Sequence, residues 1–149
     1  MEPTVADIMR KDFISFKKGD DLGKAIDVFL KTPDSVFPVV DERRRVIGEI
    51  GQHDLLRLAI PARYMDEGRI LGPEGIREML EKSGKKVADL MKTHEIKISQ
   101  DTKIVDAVRI MLNTGTMTLE VVDKNGNPVG FVSELDILKY VKRTLEARK

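Results

Sequence analysis

The chain has no cysteine and no tryptophan among its 149 residues, and aromatic side chains make up 5% of it. Without cysteine there can be no disulfide, no thiolate metal ligand and no cysteine nucleophile. So few aromatics argue against a platform on which nucleic-acid bases stack. Net charge is nearly absent as well. Lys and Arg number 26 and Asp and Glu 25, leaving +1, so nothing general draws the chain to nucleic acid or to an anionic membrane. No apolar run approaches the roughly 18 residues that crossing a bilayer requires. The N-terminus, Met1-Glu2-Pro3-Thr4, has neither a basic n-region nor an apolar h-region. No secretory leader is therefore expected, and the cytoplasm is the expected compartment.

Catalytic signatures are also missing. There is no glycine-rich Walker loop and no evident Ser/His/Asp arrangement. The two histidines, His53 and His94, lack the spacing of a metal site and are both expected at the surface. The seven methionines read as core filler. Arg43, Arg44 and Arg45 form the one local basic run, and a solvated turn accounts for it.

What the chain does have is an internal repeat. A shift of 82 residues lays Val5-Ala6-Asp7-Ile8-Met9 on Val87-Ala88-Asp89-Leu90-Met91. Residues 5–60 then match 87–142 without a gap, at 14 identities in 56 positions. Unrelated segments of average composition would share about 3, so the chain is read as a duplication.

Each copy has the same hydrophobic pattern. Ile14 and Phe16 alternate, as do Ile96 and Ile98, which predicts a short half-buried strand. Leu22, Ala25, Ile26, Phe29 and Leu30 then follow the spacing of one helical face, matched by Ile104, Ala107, Val108, Met111 and Leu112. Asp20 and Thr102 stand where N-caps are expected. Apolar runs at 36–40 and 117–122 predict buried strands. Turns at 41–45 and 123–128 follow, the second carrying the hairpin dipeptide Asn125-Gly126. Strands return over 47–50 and 129–132. A last helix presents Leu55, Leu56 and Ala59 in one copy and Ile137, Leu138 and Val141 in the other. The fold class is thus α/β (α+β), two β-α-β-β-α repeats packed with pseudo-two-fold symmetry. So small a sheet cannot bury both faces alone, and packing two copies together solves this. The residues between them, Pro61 to Lys86, read as a connector with a short helix around Ile76, Met79 and Leu80.

At the start of each last helix lies a Gly-x-x-[small]-x-x-Asp element, Gly48…Gly51…Asp54 and Gly130…Ser133…Asp136. Ser133 to Asp136 has capping-box spacing, and helix capping alone explains it. The same geometry suits a nucleotide. Free N–H groups at a helix start can meet a phosphate, a serine hydroxyl can add a bond, and a carboxylate one turn on can accept both hydroxyls of a ribose.

Here the chain resembles the cystathionine-β-synthase-type (CBS) domain family. The resemblance rests on Val-x-Asp-[Ile/Leu]-Met at each repeat start, the helix with its central alanine, Phe37-Pro38-Val39-Val40-Asp41, Val121-Val122-Asp123 and Gly130…Ser133…Asp136. It covers residues 5–60 and 87–142, about three quarters of the chain. It implies a disc-like pair of repeats with two clefts that bind adenosyl compounds: AMP, ADP, ATP or S-adenosylmethionine. Carried over by position, Asp136 would hold ribose and Ser133 phosphate. Val132, Met117 and Thr118 would flank the base, with Thr93 and Ile96 closing the slot. The first repeat's set would be Asp54, Ile50, Ser35, Val36, Lys11 and Ile14. Two departures stand out. Gly51 supplies no hydroxyl to the first site. Glu120 stands where the first repeat has Pro38, and its charge would repel an anionic ligand from the second.

The function this implies is a regulatory, non-catalytic module that senses an adenosyl effector, with no other cofactor and no metal. A homodimer and a separate effector protein are its expected partners; no membrane or nucleic acid is expected. The alternative is a structural or dimerisation module without a nucleotide ligand. A small enzyme using Asp54 or Asp136 as a base lacks an evident second catalytic group. Nucleic-acid binding through Arg43–Arg45 would show affinity falling steeply with salt.

Overall fold

The computed structural model describes residues 2–58 and 86–147. The connector helix proposed around Ile76 to Leu80, and Ala59, lie outside those residues. In chain order the first half contains a 3₁₀ turn (Val5–Asp7), α1 (Leu22–Lys31), β1 (Val36–Val40), β2 (Val46–Gly51), α2 (Gln52–Leu55) and a second 3₁₀ turn (Leu56–Leu58). The second half contains α3 (Val87–Leu90), β3 (Lys92–Thr93), β4 (Lys97–Ser99), α4 (Ile104–Thr114), β5 (Thr118–Val122), β6 (Pro128–Ser133) and α5 (Glu134–Ala147).

Two three-stranded sheets form, β1-β2-β3 and β4-β5-β6. Each central hairpin has the same bulge, between Val39 and Val40 and between Val121 and Val122. Their turns match as well. Asp41 accepts from the N–H groups of Arg43 and Arg45, and Asp123 from those of Asn125 and Asn127. The fourth turn residue is left-handed in both, Gly126 at φ 81° and Arg44 at φ 62°. Only glycine takes this conformation without steric cost.

The repeats exchange their leading segments. β3, at the start of the second repeat, pairs with β2 of the first. Arg10, at the start of the first, bridges to Phe131 in β6 of the second. Val87 N–H donates to the Asp20 carbonyl at 2.9 Å, and Val5 N–H to the Thr102 carbonyl at 2.8 Å. Val87 and Leu90 thus pack with Phe16, Leu22, Ala25, Phe29, Phe37, Val39 and Ile50. Val5 packs with Ile98, Ala107, Met111, Leu119, Val121 and Val132. The crossing segments also explain the paired glycines. A Cβ on Gly48 would lie 2.3 Å from the Lys92 carbonyl oxygen, and one on Gly130 2.6 Å from Met9 Sδ.

Three local expectations are corrected. The helix caps fall one residue later: Asp21 accepts from Gly23 and Lys24 N–H, and Lys103 occupies the matching place without a side-chain cap bond. Asp20 and Thr102 instead lend their carbonyls to the opposite repeat. The first predicted strand is present only as a bridge from Phe16 to Val39, with Ile14 exposed, whereas β4 forms and runs parallel to β5. Leu30 and Leu112 are about four-fifths exposed. At roughly 100° per residue, Leu30 lies about 80° from Leu22 and 140° from Ala25, off the buried stripe.

Candidate functional site

Asp54 and Asp136 each sit in the first turn of a helix that follows directly on a strand, β2 and β6, and both are buried. Asp136 Oδ2 accepts from Ser133 N–H at 2.8 Å and from Ser133 Oγ at 3.1 Å. Asp54 Oδ2 accepts from Gly51 N–H at 2.9 Å. The reach back to the strand end that capping-box spacing allows is therefore made in both repeats.

Around Asp136 the neighbours come from both repeats. Arg10, carried across by the first repeat's leading segment, places Nε 3.0 Å from Asp136 Oδ1. Its Nη2 donates to Ser133 Oγ at 2.9 Å, and its Nη1 meets Asp34 Oδ2 at 3.1 Å. The guanidinium also lies 5.1 Å from the centroid of the Phe131 ring, which stacks on Phe13 at 4.8 Å. Charge-assisted bonds and a cation–π contact together fix the Arg10 head. Asp34 Oδ1 is buried without a hydrogen-bond partner. Beside this cluster opens a cavity of about 500 Å³, on which Arg10, Lys139, Lys142 and Arg143 converge with Asp136.

The pseudo-equivalent region around Asp54 is built differently. Met117 crosses from the second repeat, so that a Cβ on Gly51 would lie 3.1 Å from Met117 Cε. A cavity of about 330 Å³ is lined by Ser35, Gln52, His53, Leu56 and Met117. Nearby, the fully buried Glu49 accepts from Met117 N–H at 2.9 Å, Thr118 N–H at 3.0 Å and Thr118 Oγ1 at 2.7 Å. His94 Nε2 lies 2.9 Å from the same carboxylate, and Ile96 N–H donates to His94 Nδ1 at 3.2 Å. A ring nitrogen that accepts carries no proton, so the His94 proton is on Nε2 and donates to Glu49. Burial by itself pushes the Glu49 carboxyl up. Hydrogen bonds from His94, Thr118 and Met117 outweigh this and hold it below the usual glutamate range.

The residues expected at the two sites are redistributed accordingly. Val132 and Ile50 point into the hydrophobic cores. Their alternate neighbours Phe131 and Glu49 take the other side of the sheets, where both are buried, because successive strand residues take opposite sides. Val36 and Thr118 are buried opposite Gly51 and Ser133 in the sheets. Thr93 lies on the first repeat's sheet, beside Gly48, and Lys11 follows Arg10 beside Asp136. Met117 thus approaches Gly51, and Arg10 approaches Asp136, each from the opposite repeat. Ser35 is exposed and lends its carbonyl to Gln52 N–H; Lys11, Ile14 and Thr93 are exposed and Ile96 half-buried.

Two further expectations change. His94 is not a surface residue; its side chain is 7% exposed. Glu120 does not present a free charge, because Arg45 Nε and Nη2 donate to it at 3.1 and 2.9 Å and Val46 N–H donates to its other oxygen. The three arginines at 43–45 are therefore not one patch, since Arg45 turns inward. Arg10, Asp34, Glu49 and Phe131 escaped the sequence reading. Their one signal there was an acid, Glu49, inside an apolar strand where the duplicate has Phe131.

The comparisons with known proteins agree with this architecture. The family model for the CBS domain matches residues 5–60 and 87–143. A CBS domain-containing protein of Dictyostelium discoideum is 30% identical over 151 residues, covering 98% of this chain and 96% of that one. The chloroplastic CBS domain-containing protein CBSX1 of Arabidopsis thaliana is 28% identical over 149 residues, covering 91% of this chain; the match spans 63% of that protein. A crystal structure of CBSX2 in complex with AMP shares 25% identity at a TM-score of 0.67, covering 98% of both chains. Among the described residues no group of His, Cys, Asp or Glu could hold a metal ion, and no helix is long and apolar enough to cross a membrane.

Proposed function

The chain belongs to the CBS-domain family, and from that membership we propose that it is a regulatory module binding an adenosyl ligand (AMP, ADP, ATP or S-adenosylmethionine) between its two repeats. The observation that carries this reading is the convergence of Arg10, Ser133 and Asp136 from opposite repeats at the start of α5. The Asp136 carboxylate suits the two hydroxyls of a ribose. Ser133, Arg10 and the free N–H groups of α5 suit a phosphate. AMP bound to the similar CBSX2 supports this choice of ligand class.

Arg10 gives the module a way to report binding. Its guanidinium is shared among Asp34, Ser133 and Asp136. A ligand that takes Asp136 and Ser133 for itself draws Arg10 to its phosphate, and Arg10 lies on the segment tying the repeats together. A ligand shifts a conformational equilibrium only through different affinity for the two states, and this rearrangement supplies the difference. A separate effector protein would read the shift. Exposed Leu112, Leu138 and Leu145 support the proposal that the module works as a homodimer.

Thermal unfolding with each adenosyl compound tests the reading. A ligand at 100 times its dissociation constant adds about 2.7 kcal/mol, which is a rise of roughly 5–10 °C in a chain of this size. No rise with any of the four would leave a structural pair as the better account.

A further inference from the structure

We infer that Glu49 closes the Asp54 cleft from within, so that each chain takes one adenosyl ligand, in the Asp136 cleft. This deepens the function proposed above and rests on it.

The two clefts are equivalent in backbone and opposite in furnishing. At the Asp54 side the polar edge open to a base is the start of β5: Met117 N–H, Thr118 N–H and the Thr118 hydroxyl. All three already donate to the Glu49 carboxylate. His94, between Thr93 and Ile96, donates to the same carboxylate at 2.9 Å. A ligand here would have to break four hydrogen bonds and strand a charge that is fully buried. It could not offset that loss elsewhere, since Gly51 supplies no hydroxyl and the Glu49 charge repels phosphate.

The Asp136 side has no counterpart of this buried carboxylate; there Arg10 holds Asp136, Ser133 and Asp34, and it is 26% exposed and can be drawn to a phosphate. The position equivalent to Glu49 is Phe131, that of Thr118 is Val36, and that of His94 is Asp12, which is exposed. Where the first repeat has a satisfied buried ion, the second therefore has a buried ring, and a buried valine takes the place of Thr118. Beside Asp136 a cavity of about 500 Å³ is lined by Arg10, Lys139, Lys142 and Arg143 against Asp7, Asp136 and Glu146, a small cationic excess that suits a phosphorylated ligand.

Calorimetric titration of the full chain with AMP counts the sites. One site per chain in the wild type and two in Glu49→Ala are the expected results. Since Glu49→Ala removes a buried network and can fail to fold, NMR of the wild type provides an independent measurement. Saturating AMP should move the Ser133 amide and the Arg10 guanidinium while the Thr118 amide and the His94 ring stay in place. Two sites in the wild type, or AMP-induced shifts at Thr118 and His94, would overturn the inference and leave the proposed function standing. A folded Glu49→Ala with a single site would overturn the role of Glu49. No binding of AMP, ATP or S-adenosylmethionine to the wild type would remove the proposed function, and this inference with it.

Discussion

Glu49 and Phe131 occupy the same place in the two repeats, and the clefts they face have diverged accordingly. One is filled by a carboxylate that four donors satisfy. The other holds a phenyl ring between Phe13 and Arg10. The scaffold around them is common: the same hairpin bulge, the same crossing strand and the same carboxylate capping the following helix. Duplication therefore fixed the frame, and a single strand position decided whether each cleft is sealed by the protein or left for something else.

The sharpest way to break that contrast is Glu49→Ala. Met117 and Thr118 N–H would lose their acceptor, at about 1–3 kcal/mol for each buried group left unpaired. Chemical denaturation should show this as a lower midpoint with little change in slope. A loss below about 1 kcal/mol would mean that water replaces the carboxylate and that the two clefts are less different than they look.

Next in size is Asp136→Asn. It removes a charge that Arg10 meets and that a ribose would use. AMP affinity should fall about 10- to 100-fold, equivalent to roughly 1.5–3 kcal/mol, as read by calorimetry. Stability should fall by about 1–3 kcal/mol. That exceeds the roughly 0.3–1 kcal/mol that helix-dipole placement alone implies, because Arg10 and Asp34 depend on the same cluster. Unchanged affinity would take the ligand away from this cleft.

Glu120→Gln sharpens the comparison from the other side. Arg45 loses its ionic partner, and since Arg45 is itself 27% exposed it can turn to water. The stability cost should be about 0.5–1.5 kcal/mol, and AMP binding should not strengthen. A marked gain in affinity would show that the Glu120 charge reaches the ligand after all.

A smaller effect is expected at the hairpin turns. Arg44 adopts the left-handed conformation that Gly126 takes in the duplicate. That conformation costs a residue with a Cβ roughly 1–2 kcal/mol, while glycine loses about 0.5–1 kcal/mol in chain entropy. Arg44→Gly should therefore stabilise the fold by about 0.5–1 kcal/mol, a rise of roughly 1–4 °C in thermal midpoint.

Acid titration gives the last difference, and none of it is seen near neutrality. Glu49 has a folded-state pKa below its unfolded value. Its ionisation stabilises the fold fully above the ordinary glutamate value of about 4.3 and is lost as pH falls through the lower folded value. Replacing Glu49 with Gln should flatten the stability profile below about pH 4 and leave the neutral limb parallel to the wild type. A profile that keeps its acid slope would place the responsible carboxyl elsewhere.

The sequence alone determined the duplication, the CBS resemblance, five of the six described strands to within a residue or two, both long amphipathic helices of the repeats and the acid at the start of each last helix. These features are written in spacing between near neighbours, where a period of 2 or 3.6 and a turn dipeptide act locally. Leu30 and Leu112 show the limit even there, since the spacing admits them and the packing leaves them out. Only the tertiary structure decided which segments face each other. Arg10 meets Asp136 across 126 residues, and Glu49 meets His94 across 45. The exchange of leading segments brought Arg10 to Asp136 and Thr93 beside Gly48. Nothing local specifies such partners, because a strand presents the same alternation whichever repeat it pairs with. Burial of both sheets selects the pairing, and only then does Glu49 acquire the donors that let it remain charged inside.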